Sequence, residues 1–259
     1  MKISVRFTPA MITSENELRQ ATVVVIDVLR ATSTIIAALM AGAREVIPAV
    51  ATDEAVAIAQ RLGTDRTILC GERGSLKVQG FHLGNSPAEY TPQAVHGKTI
   101  VLTTTNGAPS LIRARHAERA FCGALLNARA LARLLASIHP ADLLLLCSGT
   151  NGGFSMEDAL AAGAIVAELG TILPQEELTL TDSARAARLL FDDLRGDIHG
   201  ALASSDHGRS LAELGLADDL RFCSQLNIAD APVPMLIGSS IKSYQDQEEN
   251  SERKVTRFL

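Results

Sequence analysis

The sequence predicts an α/β fold of largely parallel sheets covered by helices, with a ligand crevice at the carboxyl-terminal edge of the strands. Six short runs rich in Val, Ile and Leu carry that expectation, at 22–28, 44–50, 66–70, 99–104, 118–122 and 142–147. They are nearly continuous in apolar character, as strands buried on both faces are. Ala- and Leu-rich stretches of helical length separate most of them, at 31–42, 52–62, 107–116 and 126–138, and another follows at 156–169. Strands alternating with helices in this way make parallel βαβ units.

Along the chain, "MKISVRFTPAM" lacks the apolar region of a signal peptide. No apolar run approaches the roughly 20 residues of a membrane helix, so a cytoplasmic protein with no membrane partner is expected. "VVVIDVLRATST" (23–34) reads as a buried strand that ends at Asp27 and Arg30 and passes into a helix. At the carboxyl edge of a parallel sheet both side chains face the crevice. "AREVIPAVATDEAVAIAQRL" (43–62) aligns without gaps with "AERAFCGALLNARALARLLA" (117–136), a strand followed by an Asx-capped helix in each case. This faint repeat suits one α/β unit over 1–259 built from two related halves, 1–97 and 98–259. The segment 71–97 has no sustained period and four glycines before residue 85, so it reads as a long loop. Its Glu72, Arg73, Lys77, His82 and Asn85 mark it as functional. Helices dominate from 181 to about 223, and "APVPMLIG" (231–238) is expected to add an edge strand.

With 259 residues, 47% hydrophobic and 20% charged, the chain can bury a core without disulfides or a structural metal. A net charge of -5, 3% aromatic residues and no Trp leave neither a basic footprint nor a stacking platform, so nucleic acid is not an expected partner. None of the four cysteines forms a C-x-x-C, which points to buried thiols in a reducing compartment. Many small residues permit flat helix packing between subunits, and a homodimer is the default expectation.

Two further strand ends carry similar chemistry, "VLTTTNGA" (101–108) and "LLCSGTNGG" (145–153), each passing through Thr-Asn-Gly into a helix. Hydroxyls and free backbone N–H groups at a helix start attract anions. Asn106 and Asn151 are equally suited to turns or caps. "SMED" (155–158) fits a capping box with Ser155 as N-cap and Asp158 at N3. It also fits a carboxylate pair, Glu157 and Asp158, that with Asp27 holds a hard cation such as Mg2+ through oxygen. Arg73, framed by glycines, is suited to closing over an anion bidentately. His207 and Arg209 in "SDHGRSL" are candidate rim contacts.

Several phosphoryl-transfer machines are absent. A cysteine-dependent phosphatase needs an arginine where Gly153 stands, and Leu29 breaks the D-x-D of aspartyl-phosphate enzymes. There is no G-x-x-x-x-G-K-[ST] loop and no G-x-S-x-G elbow.

Taken together, "VIDVLRATST", "GERGSLKVQGFHLGNSPAE", "TTTNGA", "CSGTNGGFSMEDALAAGA" and "SDHGRSLAELGLADDLRFC" resemble the magnesium-dependent 2-phosphosulfolactate phosphatases of coenzyme M biosynthesis. The blocks run in order from residue 25 to 223. The resemblance implies hydrolysis of a small anionic phosphoester to 3-sulfolactate and phosphate. Asp27, Arg30, Arg73 and Glu157 are then the expected catalytic residues, and Asp27, Glu157 and Asp158 the Mg2+ ligands. Thr32, Ser33, Glu72, Asn85, Ser86, Thr104, Asn106, Ser148, Gly149 and Thr150 are the expected substrate contacts. Two other readings are a phosphatase for a different 2-phospho hydroxy acid and an anion-binding module without turnover.

Overall fold

The computed structural model describes residues 1–63 and 65–244. Among them, eleven strands form one mixed sheet: β1 (Lys2–Arg6), β2 (Thr22–Ile26), β3 (Glu45–Ala49), β4 (Thr67–Arg73), β5 (Leu76–Lys77), β6 (Thr99–Thr103), β7 (Arg119–Gly123), β8 (Asp142–Cys147), β9 (Thr179–Leu180), β10 (Pro234–Ile237) and β11 (Ser240–Ser243). The helices are α1 (Glu15–Arg19), α2 (Ala31–Met40), α3 (Thr52–Leu62), α4 (Pro92–Val95), α5 (Gly107–Arg113), α6 (Ala128–Ile138), α7 (Met156–Ile172), α8 (Asp182–Leu194), α9 (Ile198–Ser204), α10 (Asp206–Glu213) and α11 (Ala217–Cys223). The α/β fold expected from the sequence is present: the six apolar runs are β2, β3, β4, β6, β7 and β8, alternating with helices.

The strand order is β5-β4-β6-β3-β11-β10-β7-β2-β8-β1-β9. It contains two parallel blocks, β4-β6-β3 and β7-β2-β8-β1-β9. Between them lies the antiparallel hairpin β10–β11, which pairs antiparallel with β7 on one side and β3 on the other. Three successive reversals leave the blocks running in opposite directions. The segment "APVPMLIG", expected at an edge, therefore occupies the middle of the sheet. It fits there because β3 and β7 each present an unpaired side that the hairpin satisfies, and Pro234 falls at the first position of its strand, where proline is tolerated.

Two successive stretches of the chain share a connectivity, β2-α2-β3-α3-β4 and β6-α5-β7-α6-β8, and each crosses between the blocks so that their strands interleave. β2 lies between β7 and β8, whereas β6 lies between β3 and β4. The aligned stretches 43–62 and 117–136 are β3–α3 and β7–α6, which occupy equivalent places on either side of the hairpin.

Strand β2 is buried on both faces. Val24 and Ile26 pack into one apolar cluster with α6, α7 and α8, while Val23 and Val25 pack into another with α2 and β6. Strand β1, unmarked by any long apolar run, alternates exposed and buried residues and pairs in parallel with β8. The 71–97 segment is better ordered than a loop reading implies: β4 continues to Arg73, β5 closes a hairpin on it, and buried Phe81 and Tyr90 anchor the remainder. The four cysteines are free and buried. Among the described residues no helix is long and apolar enough to cross a membrane.

Helix α7 is buried along most of its length, and its crossing with α8 depends on Gly163, where an added Cβ would stand 2.0 Å from the Ala187 carbonyl oxygen. Backbone cannot yield as a flexible side chain can. Gly163→Ala is expected to lower stability by about 1–3 kcal/mol, read by denaturant titration.

Candidate active site

The carboxyl ends of β2 and β8, from one block, and of β4 and β6, from the other, converge on one pocket. It has a volume of about 350 Å3 and is lined by Asp27, Leu29, Arg30, Glu72, Gly74, Ser75, Asn85, Thr104, Thr105, Asn106, Thr150, Asn151, Asp206, His207 and Ser210. The site thus joins strand ends of both blocks, not the single sheet edge that strand alternation alone suggests. Contacts between the β2–α2 and β6–α5 turns are close enough to require Gly107, whose Cβ would stand 2.4 Å from Ala31 Cβ and 2.7 Å from Asp27 Oδ2. The two Thr-Asn-Gly turns also meet directly, since Asn151 N–H donates to Asn106 Oδ1 at 3.1 Å.

Buried carboxylates organise the turns. Asp27 Oδ1 accepts from the Ala31 N–H at 3.0 Å, and the Thr32 hydroxyl closes the same turn on Asp27. Asp158 accepts from Val28 N–H at 2.8 Å and from Gly149 N–H at 3.1 Å, so it ties the ends of β2 and β8 together. Glu72 does the same for the other block, accepting from Thr105 N–H at 2.7 Å and Ser75 N–H at 2.8 Å. Burial pushes Asp27 up from 3.8 to about 6; the Ala31 N–H and His207 oppose the rise, whereas Glu72 and Glu157 add to it. Burial likewise lifts Asp158 well above the usual carboxylate range, with repulsion from Asp27 and Glu157 adding. Glu157 shifts the other way: burial works to raise it, but hydrogen bonding and the charge of His207, with help from Ser155, leave it lowered.

The expected site residues divide sharply by position. Asp27, Arg30, Glu72, Asn85, Thr104, Asn106 and Thr150 line the pocket. Glu157 lies in an adjoining cleft of about 640 Å3 that shares Thr150, Asn151, Asp206 and His207 with it, and His207 Nδ1 is 3.6 Å from Glu157 Oε1. Thr32 and Ser33 turn away, their hydroxyls bonded to the Asp27 and Val28 carbonyls. Ser86 donates to Asp219 at 2.5 Å, and Gly149 serves Asp158. Arg73 does not line the pocket: its guanidinium donates to the carbonyls of Glu72 and Val50, both at 2.7 Å, and to Thr103 Oγ1 at 2.8 Å. It fastens the ends of β3, β4 and β6 instead of closing over a ligand.

Two buried oxygens at the site have no partner, Asn85 Oδ1 and Ser148 Oγ. An unsatisfied buried acceptor is costly, so Asn85, on the pocket wall, is suited to a ligand contact. Ser75, Thr105, Asp206 and Ser210 were not singled out in sequence. Thr105 stood inside a recognised turn, and Asp206 and Ser210 flank His207 on α10. Ser75 carried no signal of its own.

Fold and pocket together define an α/β protein with an anion-sized, carboxylate-rich site at the converging strand ends of two parallel blocks. The chain belongs to the 2-phosphosulfolactate phosphatase family, matching the family described as 2-phosphosulpholactate phosphatase over residues 7–237. A protein of Caldanaerobacter subterraneus subsp. tengcongensis named "Probable 2-phosphosulfolactate phosphatase" is 39% identical over 233 residues, covering 90% of this chain and 95% of its own. Proteins of the same name from Symbiobacterium thermophilum and Thermotoga petrophila are each 42% identical, over 81% and 83% of this chain and 89% of theirs.

Two outcomes follow from the geometry. A carboxyl raised from 3.8 to about 6 binds its proton more tightly folded than unfolded. Its contribution to stability is complete below about pH 4 and is lost as pH rises through 6, leaving a penalty of at most about 3 kcal/mol at pH 7.5. In EDTA, Asp27→Asn should therefore raise the melting temperature at pH 7.5, with the gain vanishing near pH 4. A variant less stable than wild type at pH 7.5 contradicts this.

The second outcome compares the arginines by steady-state kinetics. Arg30→Lys should lower kcat/KM by at least about tenfold, since an ammonium cannot reproduce the planar fork. Arg73→Lys should change it by less than about threefold, because the arginine it replaces faces backbone.

Proposed function

We propose that this chain hydrolyses a phosphate monoester of a small polyanionic hydroxy acid, 2-phosphosulfolactate, releasing 3-sulfolactate and phosphate with the help of Mg2+. Family membership supports the reaction. The single observation that carries the cation is the pocket's charge: a substrate bearing several negative charges would sit against Asp27, Glu72 and Asp206 with Arg30 and His207 as the lining side chains able to carry positive charge. Anions are not held beside acids unless a cation lies between them.

The donor set suits a hard cation. Asp27 and Asp158 are buried carboxylates that repel one another, and Asn85 adds an unpartnered oxygen. Asp27 would hold Mg2+, with Glu157 approaching from the adjoining cleft; Asp158 already spends both oxygens on backbone amides. Among the described residues, no three His, Cys, Asp or Glu side chains are gathered as a preformed metal cluster, so oxygens of substrate and water would complete the shell, as Mg2+ commonly requires. Bound there, Mg2+ would neutralise phosphoryl charge and orient water. Arg30 donates to an anionic group of the substrate, and Thr104, Asn106 and Thr150 fix its orientation.

Cys147 takes no part as nucleophile. It is fully buried, and burial, with the Asp158 and Glu157 charges, holds its thiol well above the usual range, which disfavours the nucleophilic thiolate. The four unpaired thiols support a reducing, cytoplasmic setting.

The test is phosphate release from 2-phosphosulfolactate with Mg2+ or EDTA. Turnover should require the cation and be lost in Asp27→Asn. Full activity in EDTA contradicts the metal role. Faster release from another 2-phospho hydroxy acid would reassign the substrate, and binding without release would make the site an anion receptor.

A further inference from the structure

Arg30 does not stand alone. Its Nη1 donates to Asp219 Oδ2 at 2.7 Å, and its Nη2 to the Ser75 carbonyl at 2.6 Å. Asp219 comes from α11, 189 residues away along the chain, and its other oxygen accepts from the Ser86 hydroxyl at 2.5 Å. Both members of the ion pair are only 3% exposed. Arg30 and Ser75 line the pocket, but Asp219 and Ser86 do not.

We propose that Asp219 is the positioning residue for Arg30, setting the plane of the guanidinium that meets the substrate. This rests on the reading of Arg30 as the pocket's anion-binding arginine. A guanidinium has five N–H donors in a rigid fork, and fixing it through both Nη atoms orients the remaining donors. Burying two charges is costly in itself, and a pair of apolar residues of similar volume often serves stability as well. What the pair supplies is direction, since an interaction made through a fork is worth most when the fork is already aimed. Asp219 also keeps Arg30 neutralised while no anion is present. Through Ser86 it ties that arrangement to the 71–97 segment, so α11 reaches the substrate only through its neighbours.

The test is a double-mutant cycle on phosphate release from 2-phosphosulfolactate, measuring kcat and KM for wild type, Asp219→Asn, Arg30→Lys and the double variant. Asp219→Asn keeps a hydrogen-bond acceptor but loses the charge, and should lower kcat/KM by about tenfold or more. It should divide that loss between kcat and KM as Arg30→Lys does. In the Arg30→Lys background it should cost less than about threefold. Losses that multiply instead would overturn the inference, because Asp219 would then act independently of Arg30. Ser86→Ala provides a second arm that leaves the ion pair intact. It should produce a smaller loss of the same kind in wild type and none in Arg30→Lys, and an equal loss in both backgrounds also overturns the inference. A wild type that releases no phosphate defeats the proposed function and this inference together, whereas multiplying losses in an active enzyme defeat the inference alone.

Discussion

Buried carboxylates used as backbone clamps hold this site together. Asp158 joins the β2 and β8 ends through Val28 and Gly149, and Glu72 joins the β4 and β6 ends through Ser75 and Thr105. A carboxylate that accepts backbone N–H bonds satisfies donors that turns otherwise leave unpaired, and such charge-assisted bonds are short and strong. Each clamp serves one parallel block. Other contacts cross the blocks: Asn106 to Asn151, Arg30 to the Ser75 carbonyl, Thr34 to the Asn85 carbonyl, Ser86 to Asp219, and the approach of Gly107 to Ala31 and Asp27.

The pocket's mixed charge follows from where it lies, at the ends of strands from both blocks. A single parallel sheet presents one edge to solvent. Here strand ends of both blocks line one pocket, and their acids Asp27 and Glu72 become buried neighbours. Asp27 bears the consequence, with a carboxyl pushed up to about 6. Such strain on ionisation is characteristic of sites that bind a charged ligand.

Much of the architecture was legible in sequence because β2, β3, β4, β6, β7 and β8 are buried on both faces and read as continuous apolar runs. The short β1 was not, since only Ile3 and Val5 of its five residues point into the core. "APVPMLIG" was recognisable as a strand, but its place depended on which strands lacked partners, a property of the whole sheet. Within the site, Asp27, Arg30 and the Thr-Asn-Gly turns were legible because a strand end followed by a helix start places side chains at a sheet edge. Arg73 was misleading because a long side chain can turn either way from its backbone, and here three oxygens on neighbouring strand ends attract it. Thr32 and Ser33 looked like anion donors, yet hydroxyls in a first helical turn commonly bond nearby carbonyls, as these do. Asp219 lay in a recognised block, but its partnership with Arg30 spans most of the chain.

The buried acids, Asp27 above all, are proposed to be arranged for a cation. Calorimetric titration of Mg2+ into EDTA-stripped protein, in buffers of different ionisation enthalpy, tests it most directly. One binding event that depends on Asp27 is expected, releasing about half a proton near pH 6 and almost none at pH 8. Equal binding by Asp27→Asn, or wild-type binding that releases no proton at pH 6, would contradict it.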